Sequence, residues 1–166
     1  LIEKRTDVAF RIGVLRDSTL HARPIGHSRI RVVASPDYLQ RRGTPSRIAQ
    51  LRDHDLLGFT QPSSLNEWPL RDADGGPFVI QPAIASSSGE TLRQMAVAGL
   101  GIACLSDFLT REDRRAGRLV QLFARQTQDV LQPINAVYYR NTALAARITC
   151  FVDHVTQTLG QRPFDE

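Results

Sequence analysis

The sequence predicts an α/β fold with a largely parallel sheet, and three observations carry that reading. Residues 82–105 read as strand, helix, strand, the crossover that joins parallel neighbours. The β-rich run Arg29-Ile30-Arg31-Val32-Val33-Ala34 passes directly into the helix signal Ser35-Pro36-Asp37. The chain closes on apolar residues recurring at helical spacing.

In chain order, residues 6–12 alternate and predict a strand. Residues 13–26 predict a loop, with turn signals at Asp17-Ser18 and Pro24. After the strand at 29–34, Ser35 suits an N-cap, Pro36 the first helical position and Asp37 the first turn. That helix ends at Gly43. Thr44-Pro45 repeats the signal and predicts a second short helix through Ile48 and Leu51. Residues 55–59 predict a strand. A hairpin follows around Trp68-Pro69-Leu70 and Phe78-Val79-Ile80, closed by Asp74-Gly75-Gly76.

Residues 82–85 form the next predicted strand. Ser87 and Glu90 have capping-box spacing before a helix carrying Leu92, Met95 and Ala96, which Gly99 stops. Residues 101–105 predict a buried strand, and a short helix starts at Asp107. Residues 119–123 and 134–139 predict two more strands. A final helix runs from 141 or 142 to 159, with Leu144, Ile148, Phe151, Val152, Val155 and Leu159 on one stripe.

Composition narrows the function. The 166 residues are 42% hydrophobic and 23% charged, which is the profile of a folded globular chain with a real core, not a disordered one. Cys104 and Cys150 each sit in an apolar run and predict buried free thiols, which points to the cytoplasm. No run approaches the length of a membrane helix, and no signal peptide is visible. The net charge of +4 is nearly all arginine, Lys4 being the only lysine. The arginines are scattered, with local density at Arg41-Arg42, Arg114-Arg115 and Arg29-x-Arg31, so a solvated surface is favoured over a DNA-binding stripe.

The candidate site is a loop. Ser86-Ser87-Ser88 stands where a strand ends and a helix begins, so unsatisfied N–H groups and hydroxyl donors can meet an anion. The alternative is that one serine caps the helix and the others are solvated. Ser35 shares that setting, but Asp37 repels an anion there, and capping is favoured. Phe59 and Thr60 follow a strand and can supply an apolar wall and a polar contact, or form a plain loop. His21, His27, His54 and His154 lack metal-ligand spacing, and no cofactor is implied. Asp53-His54-Asp55 looks like a fragment of a proton relay, though a histidine at a helix end is commoner. No nucleophile elbow or phosphate loop is present, so no residue set recommends an enzyme.

An ordered series of segments resembles the effector-binding domain of LysR-type transcriptional regulators. It runs through residues 7–13, 34–39, 43–45, 89–93, 98–103 and 117–120, and into the closing helix with Arg147, Phe151 and Val152. Ser106 departs from the proline common there. The resemblance implies a two-lobed, periplasmic-binding-protein-like (type 2) fold. Residues 1–30 would be a partial first lobe, 31–115 a complete second lobe, and 116–166 a return to the first. It also implies that an N-terminal helix-turn-helix, a linker helix and the opening of the first lobe lie outside this chain. By position, an inter-lobe cleft would be lined by Gly13, Phe59, Thr60, Ser86, Ser87 and Ser88, with Ser35 near the crossover. The expected partners are a small-molecule effector, a carboxylate among the candidates, and further copies of the chain. DNA would be met only through the N-terminal domain, and no membrane is expected. A shortened first lobe is expected to expose apolar sheet surface or an unpaired edge, which favours association. The other reading is a transporter's solute-binding protein of the same two-lobe architecture.

Overall fold

The computed structural model describes residues 7–13, 21–138, 145–159 and 164. They divide into two compact units. One takes the described residues up to Ser28 and from Leu131 onward; the other is Arg29–Val130.

In the first unit, β1 (Val8–Ile12) pairs antiparallel with β9 (Leu131–Tyr138), Phe10 opposite Ala136. The order continues to β2 (His21–Ala34), so β1 lies at the end of the row. A loop was expected at 21–26, but these residues belong to β2. Alternation explains its start, since Ala22 and Pro24 are exposed while Arg23 is half-buried and Ile25 buried. Pro24, lacking an N–H, is tolerated because, among the described residues of this unit, β2 has a ladder partner on one side. Residues 14–20 of the expected loop lie outside the described residues.

The helix α4 (Ala145–Leu159) buries Ile148 and Val152. Its expected stripe is not wholly covered: Phe151 is 48% exposed and Leu159 38%. The Phe151 ring lies 6.4 Å from that of Phe10, which is 47% exposed. The expected helix start at 141 or 142, with Leu144, lies outside the described residues. Cys150 is exposed on α4, contrary to expectation, because the helix turns it away from the Ile148–Val152 side.

The second unit has a mixed sheet, not a largely parallel one. β3 (Leu56–Phe59) is parallel to both β6 (Ile84–Ser86) and β7 (Ile102–Ser106). β2 is antiparallel to β7 and to β8 (Val120–Leu122). The order is β2-β7-β3-β6, and alternate residues serve opposite faces. Val32, Ala34, Ile102 and Cys104 join one core with Tyr38, Leu51, Trp68 and Phe78. Val33, Leu57, Ala103 and Leu105 join another with Leu92 and Ala96. Burial of Cys104 pushes its thiol pKa far up, so this sulfur stays protonated and inert.

Three helices belong to this unit. α1 (Pro36–Arg42) spans the expected residues; the Ser35 hydroxyl accepts the Tyr38 N–H at 3.2 Å, and Gly43 follows at φ 83°. α2 is Gly89–Val97 and α3 is Asp107–Arg115. The second short helix is a 3-10 turn at Ile48–Asp53 and does not start at Thr44-Pro45. Gln50 decides this, its side-chain oxygen accepting the N–H groups of Ser46 and Arg47 at 2.8 and 3.0 Å. The expected hairpin forms from β4 (Glu67–Arg71) and β5 (Pro77–Val79). A second 3-10 turn, Ser63–Asn66, has no counterpart in the sequence reading.

Candidate functional site

Strand direction sorts the candidates. β3, β6 and β7 run the same way, so their carboxyl ends, Phe59, Ser86 and Ser106, fall on one edge of the sheet. In open α/β sheets this is the edge where ligands bind. Phe59 and Ser86 are register partners, and the Thr60 N–H donates to the Ser86 carbonyl at 3.1 Å. Phe59, Thr60 and Ser86–Ser88 therefore lie together at this edge.

Ser35 does not join them. β2 runs against β7, with Ile30 opposite Ser106 and Val33 opposite Ala103, so its end at Ala34 lies at the opposite edge. Ser35 is 3% exposed there, packed by Gly99 and Arg41, and its hydroxyl caps α1. Gly13 belongs to the other unit, where it takes φ 93° and donates its N–H to Pro133 at 2.9 Å.

The serines have distinct tasks. The cap of α2 is Ser88, not the expected Ser87: the Ser88 oxygen accepts the Thr91 N–H at 3.3 Å. The Ser86 oxygen accepts the Ser88 N–H at 3.1 Å. Both oxygens act as acceptors, so each hydroxyl proton is left to donate elsewhere. The exposed Ser87 hydroxyl makes no hydrogen bond among the described residues. Glu90 does not complete a capping box; it holds Arg93 through two hydrogen bonds at 2.7 and 2.8 Å. The Arg93 guanidinium, with help from the Gln94 amide, lowers the Glu90 carboxyl to about 2, so that charge stays paired beside the helix start.

Two features escaped the sequence reading. Asn66 accepts the Phe59 N–H and donates to the Phe59 carbonyl, both at 2.8 Å, fixing the end of β3. Its only sequence signal is an amide close after a strand end. The second feature is a cluster at the start of α3. Asp107 is buried; its Oδ1 accepts from Arg31 Nε at 2.8 Å and Arg114 Nη2 at 2.6 Å, and Arg111 Nε stands 3.8 Å from Oδ2. An arginine placed among Ile30, Val32 and Val33 was a usable sign of a buried partner.

His54, flanked by aspartates, is no relay. Its Nδ1 lies 3.1 Å from the Tyr38 hydroxyl, which accepts the Asp55 N–H at 2.9 Å. Partial burial, then the nearby Arg42 charge, lowers its pKa, and the pair secures α1 to the following loop.

Comparison with known proteins places this geometry. The family described as LysR substrate binding domain matches residues 1–160. This chain belongs to that family. The HTH-type transcriptional regulator CrgA of Neisseria meningitidis serogroup C is 49% identical over 160 residues. The match covers 96% of this chain and 54% of that protein, so the LysR-type domain spans about half the length of its relative. The solved regulatory domain of CrgA superposes with a TM-score of 0.85 at 48% identity, covering 96% of this chain and 78% of that one. Full-length AphB, described as a Vibrio cholerae virulence activator, gives 0.71 at 30% identity, covering 93% and 52%. The fold is thus the two-lobed, periplasmic-binding-protein-like fold of LysR regulatory domains, and these matches favour a regulator over a transporter protein. The family is one of transcription regulators, not of enzymes. No helix among the described residues is long and apolar enough to cross a membrane.

Proposed function

We propose that this chain is the ligand-sensing part of a longer, cytoplasmic transcription regulator. A small molecule, with a carboxylate as the first class to test, binds at the carboxyl edge of β3 and β6. One observation carries the reading: Ser86 and Ser88 use their oxygens as acceptors, leaving their hydroxyl protons free to donate beside the first-turn N–H groups of Gly89 and Glu90 in α2. Thr60 and Ser87 supply further exposed donors, and Phe59 an apolar wall. Gly13 enters only through the family resemblance, and Ser35 serves as a cap.

Binding biases one arrangement of a homo-oligomer, and DNA is contacted by a helix-turn-helix preceding this domain. The effector shifts that equilibrium only by its differential affinity for the two states, and by linkage DNA alters effector affinity by the same factor. The test screens small carboxylates by thermal shift, then titrates the best hit by calorimetry into wild type and Ser87→Ala/Ser88→Ala. Affinity should fall about tenfold in the double variant, the loss of one or two hydrogen bonds. Equal affinity with both proteins folded removes the serines from the site.

A further inference from the structure

Two side chains on the outer face of α4 have metal-binding chemistry. Cys150 and His154 stand four residues apart on it, and both are exposed. Four residues make about one helical turn, so the two share a face, with Cβ atoms about 6 Å apart. The opposite side of α4 buries Ile148 and Val152, which fixes the pair's face outward. Neither the Cys150 sulfur nor the His154 ring makes a hydrogen bond or ion pair among the described residues.

The pair lines an open depression together with Ala146, Thr149, Asp153 and Gln157. Helical side chains lean toward the preceding turn. His154 therefore leans toward Cys150, and Cys150 toward Ala146, which has no bulk to cover the sulfur. Asp153 is committed to an ion pair with Arg23.

A thiolate and a neutral imidazole are ligands that zinc prefers, at about 2.3 and 2.0 Å. Magnesium and calcium take oxygen ligands and have no reason to choose this pair. Ligands one turn apart on one helix chelate zinc in the H-E-x-x-H arrangement, so C-x-x-x-H on α4 has workable spacing. Histidine spacing alone conceals it, because no two of the four histidines stand four residues apart.

One chain supplies only half of such a site. Structural zinc is four-coordinate, and no group of three or more Cys, His, Asp and Glu side chains able to hold a metal occurs among the described residues. A two-fold pair of chains presents the same patch from both sides, so a second α4 brings an identical Cys–His pair. The small side chains of Ala146 and Thr149 let two helices approach closely. Phe151, beside Cys150 and 48% exposed, gives the second copy apolar area to cover.

We propose that Cys150 and His154 are half of a zinc site, completed by the same two residues of a second copy whose α4 faces the first. Each thiol releases its proton to solvent as its sulfur binds Zn²⁺, and each imidazole binds through a nitrogen lone pair, giving a tetrahedron of two sulfurs and two nitrogens. The pair belongs to the first unit and the serine loop to the second, so this site does not rest on the effector reading.

The test uses the tag-free chain, kept reduced with a phosphine so that a disulfide between two copies of Cys150 cannot bridge them. Co²⁺ is titrated as a spectroscopic stand-in and then displaced by Zn²⁺. The proteins are wild type, Cys150→Ser, His154→Gln and the control His27→Gln, which removes another exposed histidine. Circular dichroism checks that each variant folds. The expected result is a saturable thiolate-to-cobalt band with tetrahedral visible bands, and an end point of one metal per two chains. Sedimentation should show twice the mass with Zn²⁺ that it shows with EDTA. Affinity should fall about tenfold or more in Cys150→Ser and in His154→Gln, and stay unchanged in His27→Gln. Absence of the thiolate band, one metal per chain, an unchanged mass, or wild-type affinity in either ligand variant overturns the proposal.

Discussion

Single atoms govern several positions. A Cβ at Gly101 would stand 2.3 Å from the Asp55 carbonyl oxygen, which itself accepts the Ile102 N–H at 2.9 Å. Backbone cannot yield there without breaking the pairing that starts β7. Gly101→Ala should therefore cost about 3 kcal/mol, read by urea denaturation. At Gly117, φ is 71° and a Cβ meets nothing within 4 Å, so Gly117→Ala should cost only about 1 kcal/mol, from backbone strain alone. His54 sets a pH dependence. Its folded pKa lies below the unfolded 6.5, so the unfolded chain binds the proton more readily. Its stabilising effect is complete above pH 6.5 and is lost as pH falls through the folded value. Wild type should therefore lose stability relative to His54→Gln on acidification from neutrality, measured as denaturation midpoints across that range. A constant difference between the two would show that His54 titrates alike in both states.

Elements are held by caps and crossing ion pairs. Since Ser88 and not Ser87 accepts the Thr91 N–H, Ser88→Ala should destabilise by about 1 kcal/mol and Ser87→Ala by almost nothing. Sequence spacing favoured Ser87 because Glu90 completes the motif on paper; Arg93 competes for that carboxylate and wins. Asp113 ties α2 to the turn after α3. Burial opposes its charge, yet hydrogen bonds from Arg93 and Arg118 outweigh this and hold its pKa below the ordinary value. Asp113→Ala leaves Arg93 half-paired and should cost about 3 kcal/mol in chemical denaturation. The period of two and the cap residues were enough to read β3, β7, α1 and the hairpin. β2 was read short because Pro24 and Gly26 look like a turn until the one-sided ladder is known. The serine loop could be found in the sequence because strand-to-helix junctions have local signatures. Of the Asp107 cluster only Arg31 was legible, as a charge within an apolar strand; its partner stands 76 residues further on.

At the scale of the molecule, the two units differ in how much they bury. Both large core clusters lie within Arg29–Val130. The first unit leaves Phe10, Leu131 and Phe151 near half exposed, and the second leaves Val79 and Leu100 exposed to the same degree. Amides of β7, whose residues are all buried and paired on both sides, should exchange slowest, and those of β1 markedly faster. Hydrogen-exchange mass spectrometry resolves the two; equal protection would mean that the units open together. The serine loop has one more consequence. Ser86 and Ser88 each spend one oxygen lone pair on a backbone N–H, so the hydroxyl proton stays available to a visitor, and they offer it without carrying charge. An effector bound there as proposed would be held by neutral dipoles, whose protonation does not change with pH across the physiological range.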